Sequence, residues 1–143
     1  MVLADVSGKG APAALYMAMA RSLIRSEAGR YGNPSAVLTE VNRRLLVESC
    51  NEMFVTVFYA IVDPVLRSLT YANAGHDPPF LRRASGRVER LAYGGLFMGP
   101  FAELTLTEET LNLESDDTLV AYTDGLTDTV NHQGRGLGSH PSG

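Results

Sequence analysis

Met53-Phe54-Val55-Thr56-Val57-Phe58-Tyr59-Ala60-Ile61-Val62 is the stretch on which the fold turns. It is apolar at odd and even positions alike and rich in β-branched and aromatic side chains, so it reads as a strand buried on both faces at the centre of a layered sheet. Asp63-Pro64 then marks a turn, and Leu69 and Tyr71 alternate with Thr70 and Ala72 in a returning strand. Further strands are expected over residues 80–83 and 88–91, joined across Ser85-Gly86, and over 104–113 and 118–122. A loop over residues 73–79 and a Gly-rich connector over 94–100 separate them.

Upstream the period changes. Residues 11–27 are rich in Ala, Leu and Met, with Leu15, Met19 and Leu23 at helical spacing, and Gly29 and Gly32 follow. Asn33-Pro34 announces a second helix, with Asn33 as its N-cap and Leu38, Val41 and Leu45 as its apolar stripe. Arg43, Arg44 and Glu48 are expected to face water. The order of one short strand, two helices and a long antiparallel series predicts an α+β fold, an antiparallel β-sandwich flanked by helices.

The chain has 143 residues, 45% of them hydrophobic, enough for one core and one domain. Its net charge of -4 argues against a general attraction to nucleic acid or to an anionic membrane. Cys50 is the sole cysteine, which excludes an intrachain disulfide and a Cys-based zinc site and suits a reducing compartment. No apolar run approaches the roughly 20 residues of a membrane span. The expectation is a soluble cytoplasmic protein, with a domain over 1–131 and an irregular tail over 132–143.

Asp5 and Asp124 stand where the chemistry is expected, the first at the exit of the first strand and the second at the exit of the last clear one, each beside a small or Gly-rich turn. If those strands lie side by side, two carboxylates and nearby carbonyls share one rim, the oxygen environment that Mg²⁺ or Mn²⁺ prefers. An Asp at a strand end is equally a turn former. Ser7-Gly8-Lys9-Gly10 looks like the end of a nucleotide-binding loop, but Leu3 and Gly10 occupy the places where that loop needs Gly and Ser or Thr.

Three ordered motifs carry a family resemblance: Ala4-Asp5-Val6-Ser7-Gly8-Lys9-Gly10 with Ala13-Ala14-Leu15, then Asn73-Ala74-Gly75-His76, then Tyr122-Thr123-Asp124-Gly125. Together with Phe54-Val55-Thr56 and the glycines of 95–99, they resemble the SpoIIE-type PPM phosphatases over residues 2–131. The resemblance implies a metal-dependent phosphoserine/phosphothreonine protein phosphatase in bacterial signalling, acting on an anti-anti-sigma (STAS) type protein through water activated by two Mn²⁺ or Mg²⁺ ions. Carried over residue by residue, Asp5 bridges the metals, the Val6 carbonyl adds a backbone oxygen, Asp124 binds one metal and Gly125 leaves room for it.

The family's earlier Gly-Gly-Asp-type segment and its later aspartate have no counterpart here, so the resemblance implies an incomplete ligand set and little activity for these 143 residues alone. Ser7 replaces the histidine of the animal branch. Lys9 either helps to hold phosphate or lies in its turn against a carboxylate, His76 fixes its loop or joins the chemistry, and Asp128 supports Asp124 or binds water. The two helices are either a regulatory switch, as in the resembling phosphatases, or a plain packed pair. The rival to an enzyme is a non-catalytic pseudophosphatase or interaction module. An unpaired edge on the first strand raises the expectation of a homodimer.

Overall fold

The structure is a computed structural model that describes residues 1–48 and 53–127. Its elements run β1 (Val2–Val6), α1 (Gly10–Ala28), α2 (Pro34–Glu48), β2 (Val55–Asp63), β3 (Ser68–Ala74), β4 (Phe80–Arg82), β5 (Val88–Arg90), β6 (Gly94–Gly95), β7 (Glu109–Asn112), β8 (Thr118–Val120) and α3 (Asp124–Thr127). One sheet has the order β1-β2-β3-β6, with β7 also on β3; a second has the order β5-β4-β8. Within the first, only the two-residue β3–β6 pairing is parallel.

Both faces of β2 are buried because each meets a different layer. Val55, Val57 and Tyr59 pack with Ala72 and Ala74 of β3 against the helices, through Ala20, Ile24, Val37, Leu38, Val41 and Leu45. Phe58 and Ala60 turn the other way and join Leu69, Tyr71, Leu81 and Leu91 between the two sheets. The Phe58 and Tyr71 rings stack there with centroids 5.4 Å apart. The result is helices, sheet and sheet in three layers, as a strand apolar on both faces requires. No described helix is long and apolar enough to cross a membrane.

The helices differ from expectation in rotation. In α2, Leu38, Val41 and Leu45 are fully buried. In α1, the buried row is Tyr16, Ala20, Leu23, Ile24 and Glu27, while Leu15 is 73% exposed. At about 100° per residue, the i, i+4, i+8 row drifts about 40° at each step. That row therefore starts on the solvent side and reaches the buried face only at Leu23. Arg44 is only partly exposed to water, with its Nη1 3.2 Å from Oε1 of the fully buried Glu27.

The expected strand over 104–113 shrinks to β7. Leu104 and Leu106 do pack on the helical core, but this part of the chain is held by Thr107, whose Oγ1 donates to the Gly94 carbonyl at 3.0 Å, and makes no ladder. Alternation here recorded burial without pairing.

Asn33 stands at the N-cap of α2 as expected, but the side-chain acceptor at the helix start is Glu108. The Asn33 carbonyl accepts from Val37 N–H, while Glu108 from a distant loop supplies the carboxylate at the helix start. Glu108 Oε2 accepts from Ser35 N–H at 3.0 Å, Ser35 Oγ at 2.8 Å and Asn33 Nδ2 at 3.2 Å. Partial burial pushes the Glu108 carboxyl up, and the bonds from Ser35 and Asn33 outweigh it, so the group sits below its ordinary 4.5.

Two outcomes are expected in urea unfolding. Leu45→Ala lowers stability by about 2–5 kcal/mol, whereas Leu15→Ala stays within roughly 0.5 kcal/mol. Glu108→Gln lowers it by roughly 0.5–1 kcal/mol at neutral pH, the low end of a cap because the carboxylate is exposed. A depressed folded pKa gives stability that is present above the unfolded value and lost as pH falls through the folded one, so this difference fades below pH 4.5.

Candidate active site

The chain leaves β1 through Ser7-Gly8-Lys9-Gly10, where Gly8 and Gly10 have φ of +103° and +77°. Side-chain-bearing residues rarely adopt that region, and two such residues flanking an extended Lys9 turn the backbone sharply into α1. Ser7 closes the turn from beneath. Its Oγ donates to the Phe54 carbonyl at 3.1 Å and accepts from Phe54 N–H at 2.9 Å. Asp5 is left half-buried near the end of β1, directly across from Thr56 of β2.

On the other side, β3 runs into Asn73, Ala74, Gly75 and His76. Asn73 and His76 are among the few buried polar residues described, at 4% and 5% exposure. Asn73 Oδ1 accepts from His76 N–H at 2.7 Å and Asn73 Nδ2 donates to the His76 carbonyl at 2.9 Å, which ties the loop into a closed bracket. Behind it Gly94 approaches so closely that a Cβ would fall 1.7 Å from the Asn73 carbonyl oxygen. The imidazole spans outward from this base. Its Nδ1 meets Thr56 Oγ1 at 3.0 Å and its Nε2 meets the Tyr122 carbonyl at 3.2 Å.

Asp5, Thr56, Gly75, His76, Asp77 and Asp124 line one cleft of about 190 Å³. Asp5 and Asp124 thus share a rim, but not by lying on neighbouring strands: Asp5 is in β1 of the first sheet, and Asp124 opens α3 after β8 of the second sheet has ended at Val120. The rim is the seam where two sheets meet at one end. The three carboxylates lining it are hard oxygen donors, the kind that Mg²⁺ or Mn²⁺ takes. Among the described residues, no three of His, Cys, Asp and Glu converge to hold an ion, so the set fits such a cation in kind and falls short in number.

Residues 1–140 match the family model for Stage II sporulation protein E (SpoIIE). The chain belongs to the SpoIIE family. Among its relatives is phosphoserine phosphatase RsbU of Bacillus subtilis, 33% identical over 135 residues, a match covering 94% of this chain and 40% of RsbU. A solved structure of the RsbU and RsbW domains of Rv1364c from Mycobacterium tuberculosis superposes with a TM-score of 0.74 at 25% identity, covering 90% of this chain and 36% of that one. The catalytic domain of the serine/threonine phosphatase PstP, solved with two manganese ions, shares the fold at a TM-score of 0.67 and 16% identity, covering 92% of this chain and 70% of that one. The SpoIIE-family chain therefore spans less than half the length of RsbU and of the Rv1364c chain.

Within this SpoIIE fold the expected site residues fall at different places. Asp5, His76 and Asp124 meet at the cleft. Val6 ends β1 opposite Val55. A Cβ at Gly125 would meet only Thr123 Oγ1, at 3.6 Å, so packing among described residues does not itself call for glycine there. Lys9 is exposed and pairs with no described carboxylate, unlike the reading that lays it against one. Asp128 and the tail over 132–143 lie outside the described residues.

Two cleft residues were not singled out from the sequence. Thr56 could have been found, since it sits in Phe54-Val55-Thr56, one of the stretches carrying the resemblance. Asp77 could not, because one exposed aspartate in a proline-rich loop carries no spacing signal.

The Ser7 bracket makes a specific demand. Ser7→Ala strands Phe54 N–H and is expected to lower stability by about 1–3 kcal/mol in urea unfolding, whereas the exposed Lys9→Ala stays within roughly 0.5 kcal/mol.

Proposed function

We propose that this domain belongs to a metal-dependent phosphoserine/phosphothreonine protein phosphatase of bacterial signalling, with a STAS-type anti-anti-sigma protein as substrate. The observation that carries the reading is the meeting of Asp5, from β1, and Asp124, from the start of α3, on one cleft of a SpoIIE-family fold. Kinship to RsbU, a phosphoserine phosphatase, supports the substrate class. The chain would act in the cytoplasm.

Asp5, Asp124 and the Val6 carbonyl would hold Mn²⁺ or Mg²⁺, two ions in the complete site. Bound there, such ions lower the pKa of water and offset charge developing on a phosphoryl group. The chain's own residues do the rest. The Gly8 to Gly10 turn brings backbone close to the rim, and the carboxylates concentrate negative charge that draws in cations and repels an unaccompanied phosphate. His76 has both ring nitrogens engaged inside the protein, so proton transfer to a leaving serine falls to solvent. A shallow cleft of this size receives a phosphorylated side chain presented on a loop.

A second reading, a pseudophosphatase that binds partners without turnover, is favoured by one observation: no three ligand groups converge among the described residues. Hydrolysis of p-nitrophenyl phosphate and of a phosphoserine protein separates the two. The chain extended to the length of its relatives is expected to turn over both with Mn²⁺, to lose about 10²-fold or more of that rate in Asp124→Ala, and to stop on chelation. Turnover that survives Asp124→Ala would sink the phosphatase assignment.

A further inference from the structure

Asp5 and Asp124 are useful as a pair only if their separation is held, yet Asp5 lies in β1 of one sheet and Asp124 opens α3 just after β8 of the other, and among the described residues the two sheets share no backbone ladder. The geometry points to His76 as the positioning residue that holds it, a strut between the strand opposite Asp5 and the segment between β8 and α3 that delivers Asp124. This inference rests on the metal-site reading above.

The strut has a direction. The Tyr122 carbonyl can only accept, so Nε2 carries the ring proton and donates. In the neutral ring Nδ1 then accepts, and its donor is the Thr56 hydroxyl at 3.0 Å. The competing acceptor for that hydroxyl, the Asp5 carbonyl, is farther away at 3.4 Å. Hydrogen bonds therefore run one way, from Thr56 through the imidazole to Tyr122.

Each end sits next to a carboxylate. Thr56 is the register partner of Asp5, and Tyr122 precedes Asp124 by two residues. The base is rigid, because Asn73 brackets both backbone groups of His76 and Gly94 presses against Asn73 from behind. A ring 5% exposed with every polar atom used has little freedom to move. His76 touches no reacting group and acts through Asp5 and Asp124.

The test compares His76→Phe, which keeps a ring and loses both bonds, with His76→Gln, whose side-chain amide can still donate to Tyr122. Two readouts are taken on the chain: backbone amide shifts without metal, and Mn²⁺ affinity by electron paramagnetic resonance. His76→Phe is expected to move the amides of Asp5, Asp124 and Gly125 and to weaken Mn²⁺ binding about 10-fold, the usual cost of losing a group that orients a ligand. His76→Gln restores both, to within about threefold in affinity.

Shifts confined to residues 73–79 with Asp5 and Asp124 unmoved would overturn the strut. Amide shifts as expected in a chain that binds no Mn²⁺ would support the strut and count against the metal site. Should His76→Phe fail to fold, Thr56→Val removes one end and fills the same space. Movement of the amides at 122–124 then supports the strut, and movement restricted to the neighbours of residue 56 overturns it.

Discussion

Over most of its length β2 is buried on both faces. With Val55 and Val57 on one side and Phe58 and Ala60 on the other all buried, it must lie between two apolar layers, and the remaining elements take their places as the means of covering it. α1 and α2 close one face; β4, β5 and β8 close the other. β1 and β3 satisfy its backbone from both edges, through registers of five and seven residues.

That arrangement creates the cleft as a by-product of layering. Where two sheets end together, strand exits from both open onto one seam, and Asp5 and Asp124 arrive there from opposite sides. Glycine makes the seam accessible at two kinds of place. Gly8 and Gly10 allow a left-handed backbone in the turn after Asp5, and Gly94 allows two backbones to pass at a distance no side chain would permit.

Polar groups inside the core are few, and each ties a loop or helix to the sandwich. Asn42 Nδ2 donates to the Phe101 carbonyl and its Oδ1 accepts from Gly99 N–H, both at 2.8 Å, which pins the connector after β6 to α2. Asn73 does the same for the His76 loop. Glu27 is the costly case, because both carboxylate oxygens are buried without a well-formed hydrogen bond and the compensation comes from Arg44 at 3.2 Å and Arg30 at 3.8 Å. A buried charge balanced this way joins the two helices at one point.

Reading residues alone determined most of the elements, their order and the layered α+β class, because the apolar, β-branched and aromatic run of β2 and the 3.6-residue period of α2 are local signals. It also picked out Asp5, His76 and Asp124, since a strand-end Asp before a Gly-rich turn and an Asn-Ala-Gly-His loop are legible in one dimension. Only the tertiary structure decided which way α1 faces, that Glu108 brings a carboxylate to the start of α2, that Asp77 and Thr56 line the cleft, and that Asp5 lies in one sheet while Asp124 follows a strand of the other. Those are relations between residues far apart along the chain. They depend on how rigid layers dock, and docking is set by the summed shape of many side chains, which no local period records.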